Sequence, residues 1–118
     1  LVAAADRYAA SLPEALDLAH MGLGPDGHTA SLVPGDPVLE VTDKRVAVTS
    51  GEYQGVRRMT LTYPEIESID SLLWVVTGES KVDALKKLIA QDPSTPSGRV
   101  QPSGDSLILA DRAAAPDA

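Results

Sequence analysis

The chain has no cysteine and no phenylalanine, one tryptophan and three tyrosines, and ten basic residues against seventeen acidic ones. Each shortage excludes something. Without cysteine there is neither a disulfide framework nor a thiolate metal site, and composition points to no redox compartment. With aromatics reduced to Trp74, Tyr8, Tyr53 and Tyr63, the core must be built from Leu, Val, Ile and Ala, which suits a parallel α/β sheet. A formal net charge of −7 argues against nucleic acid or an anionic membrane as partner, because both are bound by basic surfaces. A small phosphorylated ligand stays compatible, since one local cluster of Arg and Lys can hold it. There is no apolar run long enough to span a bilayer and no signal-peptide pattern, so a cytoplasmic location is the expectation. What remains is a chain of 118 residues, 43% apolar and 23% charged, the size of one modest domain.

Read in order, Leu1 to Leu12 is alanine-rich and ends at Pro13, as the last part of a helix would. It starts uncapped and without an initiator methionine, as a chain cut out of a longer one would. Ala15 to Met21 reads as a short buried strand, and Arg45 to Ser50 as a second. Arg57 to Tyr63 has the clearest period of two: Met59, Leu61 and Tyr63 fall on one face, Arg58, Thr60 and Thr62 on the other. Pro64 opens a short helix through Ser68. Leu72 to Val76 is an uninterrupted apolar run, expected as a buried strand. It is followed by Thr77-Gly78 and a helix from Glu79 to Ala90, with Val82, Leu85, Leu88 and Ile89 at helical spacing. Gln91 to Gly104, rich in Ser, Thr and Pro, reads as an ordered or mobile loop in which Arg99 is solvent-exposed. Ser106 to Ala110 is a last strand, and the tail from Asp111 to Ala118 has room for one helical turn. Strands alternating with helices imply an α/β sandwich with a mostly parallel sheet, whose sites form at the carboxyl ends of strands.

Two glycine turns stand at such ends. The first, Met21-Gly22-Leu23-Gly24-Pro25-Asp26-Gly27-His28-Thr29-Ala30-Ser31-Leu32-Val33-Pro34, also holds one of the two histidines. Thr29 and Ser31 can cap a helical stub from Thr29 to Val33. Such a helix start would turn backbone N–H groups toward an anion and favour a neutral, proton-accepting His28. Asp26 is placed to orient the imidazole. Gly22, Gly24 and Gly27 also satisfy a dinucleotide fingerprint, but that needs a full helix after the third glycine, and Pro34 forbids it. His20, in a strand, reads as structural, and two histidines eight positions apart do not make a zinc site. Lys81 falls in the first turn of its helix, where the dipole disfavours a cation unless an anion binds there.

The segments Gly24-Pro25-Asp26-Gly27-His28-Thr29-Ala30-Ser31-Leu32-x-Pro34-Gly35, Arg58-Met59-Thr60-Leu61-Thr62-x-Pro64 and Gly78-x-x-Lys81 resemble the 6-phosphogluconolactonase family in order and spacing. The resemblance implies a three-layer α/β/α sandwich, with residues 1–118 as a single partial domain, the C-terminal half of a Rossmann-like one. It implies hydrolysis of 6-phospho-D-glucono-1,5-lactone without metal or organic cofactor, the phosphorylated sugar lactone being the ligand. His28 would be the base activating water, with Asp26 beside it. Gly24 and Gly27 would lie in a substrate-binding loop whose amides meet the oxyanion, and Lys81 and Arg58 would anchor the phosphate. Val33 departs from the bulky aromatic that the family carries before its proline, and the family's N-terminal phosphate-binding loop has no counterpart. An amino-sugar phosphate isomerase/deaminase of the same fold and a non-catalytic sugar-phosphate-binding fragment are the alternatives.

Overall fold

The computed structural model describes residues 1–117. Its helices are α1 (Val2–Ser11), α2 (Tyr63–Glu67) and α3 (Val82–Ile89), and its strands are β1 (Leu18–Met21), β2 (Val46–Val48), β3 (Met59–Leu61), β4 (Ser71–Val76) and β5 (Asp105–Ala110). The order follows the expected α/β alternation. β4 is the centre of a parallel sheet ordered β1-β4-β5, with Met21 opposite Trp74 and Trp74 opposite Ile108. β2 and β3 instead form a separate antiparallel pair. Only a short loop joins them, and a parallel pairing would need a crossover of about a dozen residues or more.

Both connections in the parallel sheet step in the same direction, from β1 to β4 and from β4 to β5. Crossovers have a strong right-handed preference, so two steps the same way put both connecting segments on one face. The core shows this placement: Met21, Leu72, Trp74 and Val76 from the sheet pack with Ile66 of α2 and with Ala84, Leu85 and Leu88 of α3. Trp74 is buried, and its indole N–H donates to Ser106 Oγ at 3.1 Å, so the largest side chain of the core also has its polar atom satisfied. The opposite face is bare. Leu18 is 58% exposed, Leu107 57%, Leu109 51% and Val75 40%, with His20 and Leu73 in register between them. The sequence reading of β1 and β4 as wholly buried strands is therefore corrected, because no element among the described residues covers this side.

The remaining elements hold the connections in place. Glu65 of α2 is buried and accepts from Arg45 at both carboxylate oxygens, while Arg45 also donates to the Pro13 carbonyl at 2.8 Å. One guanidinium thus ties α2, the start of β2 and the segment after α1. The Gln91 to Gly104 segment is anchored: Thr95, Pro96, Ser97 and Gly98 are buried, and Tyr63 donates its hydroxyl to the Pro96 carbonyl at 2.7 Å. Arg99 lies 4.8 Å over the Tyr63 ring and pairs with Glu40 at 3.0 Å, so it is engaged within the fold, contrary to the sequence reading. At the end of β5, Asp111 accepts from the Gly78 and Ala114 amides, and the Ala115 amide closes the expected single turn onto the Asp111 carbonyl.

An apolar sheet face of this kind invites association. The chain is expected to bind an apolar-surface dye and to sediment as more than a monomer as its concentration rises. Leu18→Lys with Leu107→Lys should suppress both effects; a parent chain that stays monomeric and dye-negative would refute the exposure.

Candidate active site

β1 and β4 are parallel neighbours, so the segments leaving their carboxyl ends emerge side by side. The glycine loop follows β1, and Gly78 and Lys81 follow β4. The contact between them is direct: the Lys81 ammonium donates to the Leu23 carbonyl, 58 positions away in sequence. Lys81 ends a 3-10 turn, Glu79–Lys81, that enters α3, and Gly78 before it takes a φ of 96°, a conformation that side-chain-bearing residues rarely adopt.

No helix follows His28. Thr29 bridges to Leu32, Ala30 sits at a φ of 51°, and the expected stub from Thr29 to Val33 is a turn. The two hydroxyl residues read as caps are used otherwise: Thr29 Oγ1 donates to the Gly22 carbonyl at 2.7 Å, and the Ser31 amide donates to Thr60 Oγ1 at 3.0 Å. Strand β3 captures the segment that would have coiled, and Pro34 prevents its continuation. A helix dipole therefore does not act on His28. The loop amides are also not free in the manner expected: Gly24 N–H donates to the His28 carbonyl and Gly27 N–H to the Gly24 carbonyl, each at 2.9 Å, and His28 N–H donates to Asp26 Oδ1 at 3.0 Å. Those three donors hold the loop's own shape and are not available to an oxyanion.

The two glycines matter for a different reason. A Cβ at Gly24 would fall 2.1 Å from His28 Nδ1, so the imidazole lies against bare backbone. Gly27 has a φ of 86°, and a Cβ there would come within 2.6 Å of the Thr95 Cβ; its carbonyl accepts from the Ser97 amide at 2.9 Å. The buried Thr95–Ser97 segment is thus the floor of the loop. Sequence reading passed over it because a run of Ser, Thr and Pro carries no periodic signal.

His28 and Asp26 come together as expected. Nδ1 is 2.6 Å from Asp26 Oδ1, with 24% of the His28 side chain and 39% of the Asp26 side chain exposed. Partial burial opposes the charge on Asp26, but hydrogen bonds from the Tyr53 hydroxyl and from the ring and amide of His28 outweigh it and hold the carboxyl below its ordinary value. An ionised carboxylate only accepts, so Nδ1 carries the proton and the neutral ring keeps a bare Nε2. Nε2 has no hydrogen-bond partner among the described residues. A base oriented through one nitrogen and open at the other is the arrangement that takes a proton from water.

Arg58 is not in a row with two free hydroxyls. Thr60 and Thr62 are buried and committed, Thr62 Oγ1 donating to the Lys44 carbonyl at 2.6 Å. The Arg58 side chain turns back to the loop before β3, where Nε donates to the Tyr53 carbonyl at 3.3 Å and Nη2 to Gln54 Oε1 at 3.1 Å. It reaches His28 only through Tyr53. Among the described residues no three His, Asp or Glu side chains gather closely enough to hold a metal ion.

The parallel α/β sheet thus brings an oriented imidazole and a lysine to adjacent strand ends, the architecture of an α/β protein with its site at the strand carboxyl ends. The chain belongs to the family described as glucosamine-6-phosphate isomerases/6-phosphogluconolactonase, which matches residues 1–109. It is similar to 6-phosphogluconolactonase of Nostoc sp., 42% identical over 103 residues, covering 85% of this chain and 42% of that protein. It is similar also to the 6-phosphogluconolactonase of Rattus norvegicus, 38% identical over 123 residues, covering 95% of this chain and 48% of that one. Among solved structures, 6-phosphogluconolactonase from Trypanosoma cruzi superposes with a TM-score of 0.82 at 27% identity, over 98% of this chain and 51% of that chain. The chain spans about half the length of the curated relatives that it matches.

The depressed Asp26 carboxyl has a measurable consequence. A carboxyl whose folded pKa lies below its unfolded value adds stability above the unfolded value, about 3.9, and that stability is lost as pH falls through the lower folded value. Asp26→Asn should therefore lower the melting temperature at pH 7, and the gap between the two proteins should close as pH falls through the lowered value of the folded state. A gap unchanged with pH would mean that Asp26 is not ionised in these contacts.

Proposed function

We propose that this chain carries the base and one phosphate contact of a lactonase that hydrolyses 6-phospho-D-glucono-1,5-lactone to 6-phospho-D-gluconate, in the oxidative pentose phosphate pathway. The observation that carries the reading is the imidazole held by Asp26 through Nδ1, with Nε2 open, in a loop whose Leu23 carbonyl takes the Lys81 ammonium from the adjoining strand end. Water next to Nε2 loses a proton to it as the oxygen attacks the lactone carbonyl. The ring C–O bond then breaks, and the proton passes to the departing alkoxide, which returns the imidazole to its neutral state. General-base help of this kind is worth ~10²–10⁴-fold in rate. Lys81 supplies a cation for the phosphate, and its hydrogen bond to Leu23 keeps that cation beside the loop. Arg58 adds positive charge on the Tyr53 side. The setting that goes with this chemistry is the cytoplasm, and the other partner of the site is the part of the relatives that this chain does not match.

The reading is tested by following lactone loss at low temperature, with spontaneous opening subtracted, for the chain alone and for the chain fused to the unmatched part of the Nostoc relative. The fused protein is expected to be active and the chain alone nearly inactive, because a substrate held from one side only is not fixed in attack geometry. In the fused protein His28→Asn should lower kcat by about two orders of magnitude with KM little changed. Near-normal kcat would remove His28 from the mechanism.

Lys81→Ala is expected to act differently, raising KM for the phosphorylated lactone roughly ten-fold or more while leaving turnover of a lactone without phosphate as it was. Equal losses on both substrates would make Lys81 a structural residue that only ties Leu23 to α3.

A further inference from the structure

We propose that Tyr53 is a positioning residue for His28. It fixes the second oxygen of the Asp26 carboxylate, so that the first holds the imidazole with its proton on Nδ1 and leaves Nε2 as the accepting atom. The mechanistic use of that atom rests on the lactone reading; the positioning does not.

Asp26 stands on an exposed turn between Pro25 and Gly27, and by itself its carboxylate would be free to rotate. Oδ1 already takes the His28 ring and the His28 amide. Tyr53, brought from 27 positions away, donates its hydroxyl to Oδ2 at 2.7 Å, so both oxygens are held and the carboxylate plane is set from two sides. The same hydroxyl oxygen is 3.1 Å from His28 Nδ1, and the two rings meet edge to face with centroids 5.1 Å apart. Tyr53 and the bare backbone of Gly24 thus both bound the imidazole.

Tyr53 is itself placed with some care. It opens a tight turn in which Gln54 has a φ of 54° and Gly55 a φ of 85°, the paired positive values of a two-residue hairpin turn, and its amide donates to the Val56 carbonyl at 2.8 Å. Arg58 clamps the turn through the Tyr53 carbonyl and Gln54, and lies 5.3 Å over the Tyr53 ring. Thr49 joins this base to the hairpin, accepting from the Arg58 amide at 2.9 Å and donating to the Gly51 carbonyl at 2.8 Å. The hydrogen bond to Asp26, then burial and the Asp26 charge, push the phenol above its ordinary value against the opposing charge of Arg58, which keeps it a donor at neutral pH. The charged groups around the tyrosine and the imidazole are Asp26 and Arg58, with Lys81 at the root of the loop.

The experiment reads the tautomer. The chain contains only His20 and His28, so imidazole ¹⁵N shifts on uniformly labelled protein, taken at a pH where both rings are neutral, give two pairs of signals, an Nδ1 and an Nε2 for each ring. His20 lies on the bare sheet face and serves as the internal reference. His28 is expected almost wholly as the Nδ1–H form and His20 near the Nε2–H-rich mixture of a free side chain. Tyr53→Phe keeps the ring and its Arg58 contact and removes one hydroxyl; it should move His28 toward the His20 mixture while circular dichroism and melting temperature stay close to those of the parent. Arg58→Gln, which loosens the turn without touching Asp26 or His28, should shift His28 in the same direction by less. An unchanged His28 tautomer in folded Tyr53→Phe would overturn the proposal, as would a parent protein whose His28 matches His20. In any form of the protein that turns over the lactone, Tyr53→Phe should lower kcat roughly five-fold with KM unchanged. A tautomer shift in the chain, with no lactone turnover by the fused protein, upholds the positioning and sinks only the functional reading.

Discussion

The parallel pairing of β1 with β4 is the constraint on which the site depends. Leu18 to Met21 lie opposite Ser71 to Trp74, so two stretches about fifty positions apart in sequence end on the same side of the sheet within one strand spacing. Lys81 reaches the Leu23 carbonyl of the glycine loop because of that register. A slip of one residue would turn Met21 and Trp74 out of the core and carry the glycine loop away from Lys81. The burial of Trp74, Leu72 and Val76 against α2 and α3 is therefore what keeps Lys81 against the glycine loop, although none of these residues touches the loop's polar contacts.

The loop itself is held by contacts from far along the chain. Thr60 of β3 takes the Ser31 amide, Ser97 gives its amide to Gly27, and Tyr53 reaches Asp26. A loop with three glycines would ordinarily lose much conformational freedom on ordering. Here the polar contacts come from three separate segments, so its conformation is fixed from several sides. His28 gains an orientation that no local helix provides.

Much of this could be read in the sequence. Period and punctuation located every strand and the three α-helices of the described residues, though not the 3-10 turn Pro37–Glu40, and the Asp26–His28 pairing followed from a spacing of two. The local readings failed where tertiary partners override a local preference. Thr29 and Ser31 have the chemistry of helix caps, but the Gly22 carbonyl takes the Thr29 hydroxyl and Thr60 takes the Ser31 amide. Arg58 occupied the polar side of an alternating segment, and cation–ring attraction drew it back to Tyr53. The antiparallel pairing of β2 with β3 was implicit in the short link between them. Tyr53 gave no signal, because its role arises only when the hairpin folds back over the loop, and nothing in Gly51-Glu52-Tyr53-Gln54-Gly55 announces which side chain will face Asp26.

Gly22 and Gly24 stand two positions apart in the same loop, and the fold treats them unequally. Around Gly22 there is nothing within 4 Å of where a side chain would begin, whereas at Gly24 that space is filled by the imidazole. Any base change that replaces glycine adds at least one carbon, so drift has no conservative step available at position 24. At position 22 it has several. In a population of descendants of this chain, the first glycine of the loop can wander to alanine or serine, while the second stays under the same selection as the histidine that rests on it.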